Sequence, residues 1–194
     1  SLAEEGLYVN LYAGAEIEWE QGGTEVRLAM RSEQTAGGEV AIQVQPRAPL
    51  EFTLRLRIPA WAGAEVPVWL NGAQIATGSP GTYLALSRAW QPGDRLSFSL
   101  PMPLRITRYQ GLDRVPGCER WAVEYGPLLL GLVGPLDFMG RFTRIQHDPA
   151  RIAEWLAPVP GKPGHFTVAG KPGYEYLPYH EIADQVFTCY PVVG

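Results

Sequence analysis

Between residues 52 and 61 the side chains alternate without a fault. Phe52, Leu54, Leu56 and Ile58 fall on one face and Thr53, Arg55 and Arg57 on the other, the period of two that marks a half-buried strand. One face is expected in a core and the other in water. Pro59 lacks an amide donor and restricts Ile58 to extended backbone, so the strand is predicted to end there and Trp61 to sit on the following loop. Similar alternation recurs on either side. Leu7, Val9 and Leu11 share one face of a predicted opening strand, with Tyr8 and Tyr12 on the other. Val26, Leu28 and Met30 alternate with Arg27 and Arg31, and Val40, Ile42 and Val44 with Ala41, Gln43 and Gln45, punctuated by Gly22-Gly23 and Gly37-Gly38, so two further strands of a meander are predicted. Val66 to Leu70 meets Asn71-Gly72 and then Ala73 to Ala76; Asn-Gly tolerates positive φ at both turn centres, the strongest hairpin signal in the chain. A strand over residues 83–90, a turn over 91–94, and Leu96, Phe98 and Leu100 alternating with Ser97 and Ser99 bring the count to about eight strands by residue 100, as a two-sheet sandwich or jelly roll requires.

The first domain is predicted to close near Pro103, inside a mixed, turn-rich stretch over residues 104–119, giving domains 1–104 and 105–194. Trp121 opens the second half, and Leu128, Leu129 and Leu130 form a short apolar run between Gly126-Pro127 and Gly131 that fits a strand buried on both faces. The one helical candidate follows Asp148, which can cap free amides; Pro149 suits the first helical position, and Ile152, Trp155 and Leu156 share a face. Strands are predicted over 166–169, 174–179 and 184–190. The fold class expected is therefore all-β: a β-sandwich or jelly-roll domain, then a smaller β-sandwich-like domain with one short helix.

Composition supports this and narrows the partners. The 22 glycines and 18 prolines suit many short strands joined by tight turns. A net charge of -4 with no basic run gives no electrostatic footprint for a nucleic acid or an anionic membrane. There is no bilayer-length apolar run and no signal-like amino-terminal segment, and localisation stays open. A chain starting Ser-Leu-Ala-Glu-Glu without an initiator Met is expected to be processed or excised from something longer. Cys118 and Cys189 are far apart, each without a second Cys or His at ligand spacing. They do not make a zinc site, which needs about four ligands. Buried or half-buried free thiols are the favoured reading, with a disulfide left open.

Candidate chemistry is sparse. A glycosidase needs two carboxylates about 5–10 Å apart. Asp113, Glu119 and Glu124 qualify only by clustering, and solvated charges are the expected role. His147, His165 and His180 read as isolated, and no Gly-x-Ser-x-Gly elbow occurs. No residue is assigned to catalysis. Sugars stack an apolar face on an exposed ring while polar neighbours fix their hydroxyls, which makes Trp61, Trp69 and Trp19 candidates for carbohydrate binding, Trp61 the best placed. Trp90, beside a turn, is expected to plug the sandwich edge.

Six segments in order carry a family resemblance: Gly6-Leu7-Tyr8-Val9-Asn10-Leu11-Tyr12, Leu56-Arg57-Ile58-Pro59-Ala60-Trp61, Asn71-Gly72, the block from Tyr83 to Asp94, Leu100-Pro101-Met102-Pro103-Leu104-Arg105 and Tyr125-Gly126-Pro127-Leu128. Together they resemble the carboxy-terminal β-sandwich region of glycoside hydrolase family 127, which includes β-L-arabinofuranosidases. Tyr176-Leu177-Pro178-Tyr179-His180-Glu181-Ile182 is similar too, but Val186-Phe187 stands where that family usually has Arg-Tyr. The resemblance implies that chemistry belongs to an amino-terminal (α/α)6 barrel, with a zinc-bound cysteine nucleophile, further Cys and Glu ligands and a Glu general acid. Its paired cysteines lie shortly before the Gly-Leu-Tyr-Val-Asn segment, so neither Cys118 nor Cys189 matches a catalytic position. The expectation is a non-catalytic accessory region without zinc of its own, packing on that missing barrel. The opening strand and the Trp61 loop are the expected contact, and the isolated chain is expected to self-associate or to be less soluble than its charge suggests. The alternative is a stand-alone carbohydrate-binding module.

Overall fold

The structure is a computed structural model that describes residues 2–3, 6–33, 38–112, 115–137 and 139–194. The chain divides into two compact units, Ser1–Met102 and Pro103–Gly194. Both are made of strands joined by turns, with one short α-helix in the second, so the fold class is all-β as the alternation predicts. Among the described residues no helix is long and apolar enough to cross a membrane.

The first unit holds two sheets. One is four-stranded, in the order β1 (Leu2–Ala3), β2 (Gly6–Val9), β6 (Leu50–Ile58) and β9 (Thr82–Trp90). The other is six-stranded, in the order β3 (Ala15–Gln21), β4 (Thr24–Glu33), β5 (Glu39–Pro46), β10 (Asp94–Ser99), β7 (Val66–Leu70) and β8 (Ala73–Gly78). Residues from both sheets build one core: Phe52, Leu54, Leu56 and Ile58 meet Val26, Leu28, Val40, Ile42, Val44 and Leu96, all buried. β2 runs parallel to β6, and Gly6 makes that pairing possible. It sits at φ 148°, and a Cβ there would lie 1.9 Å from the Thr53 carbonyl oxygen.

Three details depart from the sequence reading. β3 is a strand that the alternation did not predict. β2 stops at Val9, so Leu11 is exposed and Tyr12 turns inward, where its hydroxyl donates to the Arg57 carbonyl at 2.7 Å. Once the chain leaves the ladder, period two no longer fixes direction. The supposed wet face of β6 is partly covered: Thr53 is buried and bonded to the Ser87 hydroxyl at 2.8 Å, and Arg55 lies over the Tyr8 ring. Elsewhere the turn chemistry acts as predicted. Asn71 (φ 50°) and Gly72 (φ 87°) join β7 to β8. The Asn71 amide also donates at 2.8 Å to the buried Asp94 carboxylate, which accepts the Gln91 amide at 2.9 Å. This links two turns, and Asp94 is occupied in holding them.

The second unit is one seven-stranded sheet, ordered β11 (Leu104–Arg108), β12 (Trp121–Tyr125), β13 (Leu128–Val133), β16 (Glu175–Pro178), β15 (Phe166–Val168) and β14 (Leu156–Pro158), with β17 (Phe187–Thr188) also pairing with β13. Its core gathers Val123, Leu130, Leu132, Trp155, Phe166 and Tyr176. The predicted cap forms: Asp148 accepts the Ala150 amide at 2.9 Å, a 3₁₀ turn over Pro149–Arg151 runs into helix α1 (Ile152–Trp155), and Ile152, Trp155 and Leu156 are buried. The stretch expected to be turn-rich begins with β11. Residues 121–133 form two strands around a Gly126-Pro127 turn, and Leu128 and Leu129 are only half-buried. The final strand shrinks to two residues.

Candidate functional site

The carboxylates come first, because a hydrolase would need them. Glu124 on β12 faces Arg105 on β11 at 3.7 Å and accepts from the Thr107 hydroxyl at 3.3 Å, and Glu119 pairs with Arg108. Asp113 lies outside the described residues. Both described carboxylates are thus taken up in solvent-exposed ion pairs, an arrangement that contributes little to stability, about 0–1 kcal/mol per pair. Cys118 is exposed, against expectation, and Cys189 is half-buried, its thiol pushed up in pKa by burial; both are free. Among the described residues no group of three or more His, Cys, Asp and Glu side chains could hold a metal ion. These residues do not fit the zinc of the resemblance.

The histidines are not isolated, which corrects the sequence reading. His147 stacks flat on Trp155 with centroids 5.5 Å apart and shares a 2.8 Å hydrogen bond with the Ala169 carbonyl. His165 is clamped, with Nδ1 2.8 Å from Glu175 and Nε2 2.9 Å from Glu181, and His180 stands 3.8 Å from Glu181. Burial, the largest single influence on His165, pulls its pKa down; hydrogen bonds to Glu181 and Glu175 and their charges together outweigh it, so the net shift is upward. A group held charged in the fold stabilises fully below its unfolded pKa of about 6.5, and the contribution is lost as pH rises through the higher folded value. Resistance of the second unit to urea should therefore fall as pH rises above about 6.5. His165→Gln should flatten that slope, and an unchanged slope would show that the clamp does not hold the unit.

The three candidate tryptophans do not come together. Trp61 lies in a 3₁₀ turn, Ala60–Ala62, half-buried against the first core. Trp19 is buried on β3, edge-on to Phe52 at 5.8 Å, and bonds Gln21. Trp69 alone is substantially open, 40% exposed, because its neighbours Val68 and Leu70 point into the core and β7 turns it outward. Trp90, expected at an edge, is fully buried, and its indole N–H donates 3.0 Å to the Phe52 carbonyl.

Trp69 stands on the outer face of the six-stranded sheet. Strand register aligns Arg31, Ala41, Ser97 and Trp69 in one row across β4, β5, β10 and β7, beside a second row of Ala29, Gln43 and Arg95. Small side chains in the middle leave two adjoining hollows, of about 600 and 650 Å³, that share Arg31, Ala41 and Arg95. Glu16 borders the first, but its carboxylate is held by Arg27 at 2.5 Å. Alternation along 66–70 is the signal that could have placed Trp69 outward; which strands lie beside it depends on β10 inserting between β5 and β7, a long-range pairing.

Comparison with known proteins gives the class of this sandwich. Residues 6–102, half of the chain, match the family described as β-L-arabinofuranosidase, GH127 middle domain. The chain belongs to that glycoside hydrolase family. No curated protein matches it. Among solved structures, a GH127 β-L-arabinofuranosidase from Geobacillus stearothermophilus T6 is similar over all of this chain and 34% of its own, with 20% identity and a TM-score of 0.72. A glycoside hydrolase is similar over all of this chain and 36% of its own, with the same identity and score. A further GH127 β-arabinofuranosidase matches over 96% of this chain and 34% of its own, at 18% identity and a TM-score of 0.65. These likenesses show the fold. The chain spans about a third of the length of each of these structures.

Proposed function

We propose that this chain is the non-catalytic accessory region of a glycoside hydrolase of the β-L-arabinofuranosidase type, supporting an amino-terminal (α/α)6 catalytic barrel on the same polypeptide. The observation that carries this is the match of residues 6–102 to a domain described as the middle one of such enzymes, in a chain about a third as long as its solved relatives. The site chemistry supports it: Glu119 and Glu124 are tied to arginines, and no described donor set fits a metal. On this reading nucleophile, general acid and zinc belong to the barrel, and the sandwich supplies a rigid body for it to pack on. Zinc content and hydrolysis of an aryl L-arabinofuranoside, measured on residues 1–194, test it; neither bound zinc nor turnover is expected.

A further inference from the structure

We propose that the outer face of the six-stranded sheet is a binding groove for an uncharged oligosaccharide, a role beyond accessory packing. The groove has a floor, a stacking wall and hydrogen-bonding flanks. Ala29, Ala41 and Ser97 make the floor, and at about 4.8 Å between strands the row from Arg31 to Trp69 spans about 14 Å. With two hollows adjoining along it, that length accommodates several linked sugars.

Trp69 supplies the wall. A large ring left open beside a polar floor matches a pyranose or furanose, whose C–H face stacks on the indole while its hydroxyls reach sideways. Arg31, Arg95 and Gln43 stand where those hydroxyls would be, and the two guanidinium groups enter no ion pair among the described residues. Glu39 adds an acceptor at the Trp69 end. With Glu16 held by Arg27, Glu39 offsets one of the two arginines, and the guanidinium N–H groups are donors that the hydroxyl oxygens of a polyol can accept.

Affinity electrophoresis of the 194-residue chain in native gels containing arabinan, xylan, mixed-linkage β-glucan or polygalacturonate tests this directly. At least one neutral polymer should retard the chain. Trp69→Ala should weaken retardation about tenfold or more, as loss of a central aromatic anchor does. Arg31→Gln with Arg95→Gln should also weaken it, while Tyr83→Ala, an exposed aromatic on the other sheet, should not. Thermal melts should match the parent in each case. No retardation in any gel, retardation by polygalacturonate alone, or binding that survives Trp69→Ala would overturn the groove. Each of those results leaves the accessory reading standing, because that reading rests on zinc and turnover.

Discussion

Replacing Trp90 with alanine is expected to lower the stability of the first unit by about 3–5 kcal/mol, the range for removing a buried aromatic. Its indole is fully buried at the end of β9 and lies 5.8 Å from Phe52, which in turn meets Trp19 edge-on, so one ring ties the four-stranded sheet to the core beneath it. Alanine would leave a cavity and remove the hydrogen bond to the Phe52 carbonyl. For a unit of this size each kcal/mol moves the melting midpoint by about 4–8 °C, so the first transition should fall by at least about 12 °C. Trp90→Phe separates the two effects, since it keeps a ring and loses the donor; about 1–3 kcal/mol is expected there. A shift of less than about 2 °C in Trp90→Ala would mean the ring does not organise this core.

Leu56→Ala should cost about 2–5 kcal/mol through lost burial and a residual cavity. Leu56 is fully buried in the middle of β6, flanked by Val9 on the parallel side and Leu84 on the antiparallel side. Neighbours held on two ladders cannot collapse far into the space, which places the cost above the minimum of that range. Chemical denaturation followed by far-UV circular dichroism measures it. A loss below about half a kcal/mol would mean that the packed face of β6 has been misassigned.

These two positions also show which parts of the fold could be read before any coordinates. β6 alternates because one of its faces is wholly in the core, and burial of Phe52, Leu54, Leu56 and Ile58 leaves a clean period-two record. β3 is an edge strand whose Glu16, Glu18 and Glu20 face outward while only Trp19 is buried on the other side, so its alternation is too faint to stand out. β11 escaped notice for a related reason: Leu104 and Ile106 are only half-buried. The clamp on His165 was invisible because its partners stand 10 and 16 residues on, at separations that no local period encodes. The groove has the same cause. Trp69 was a stacking candidate, but its neighbours Ser97 and Ala41 arrive through two long-range pairings, of β10 with β7 and with β5, and only the β4–β5 step that adds Arg31 is local.

Side-by-side zinc analysis and aryl L-arabinofuranoside hydrolysis, on residues 1–194 and on a longer polypeptide in which an amino-terminal (α/α)6 barrel of the family precedes them, is the measurement closest to the central claim. The account predicts bound zinc and turnover in the longer polypeptide and neither in the shorter. Turnover by residues 1–194 alone, abolished by Glu124→Gln, would contradict it.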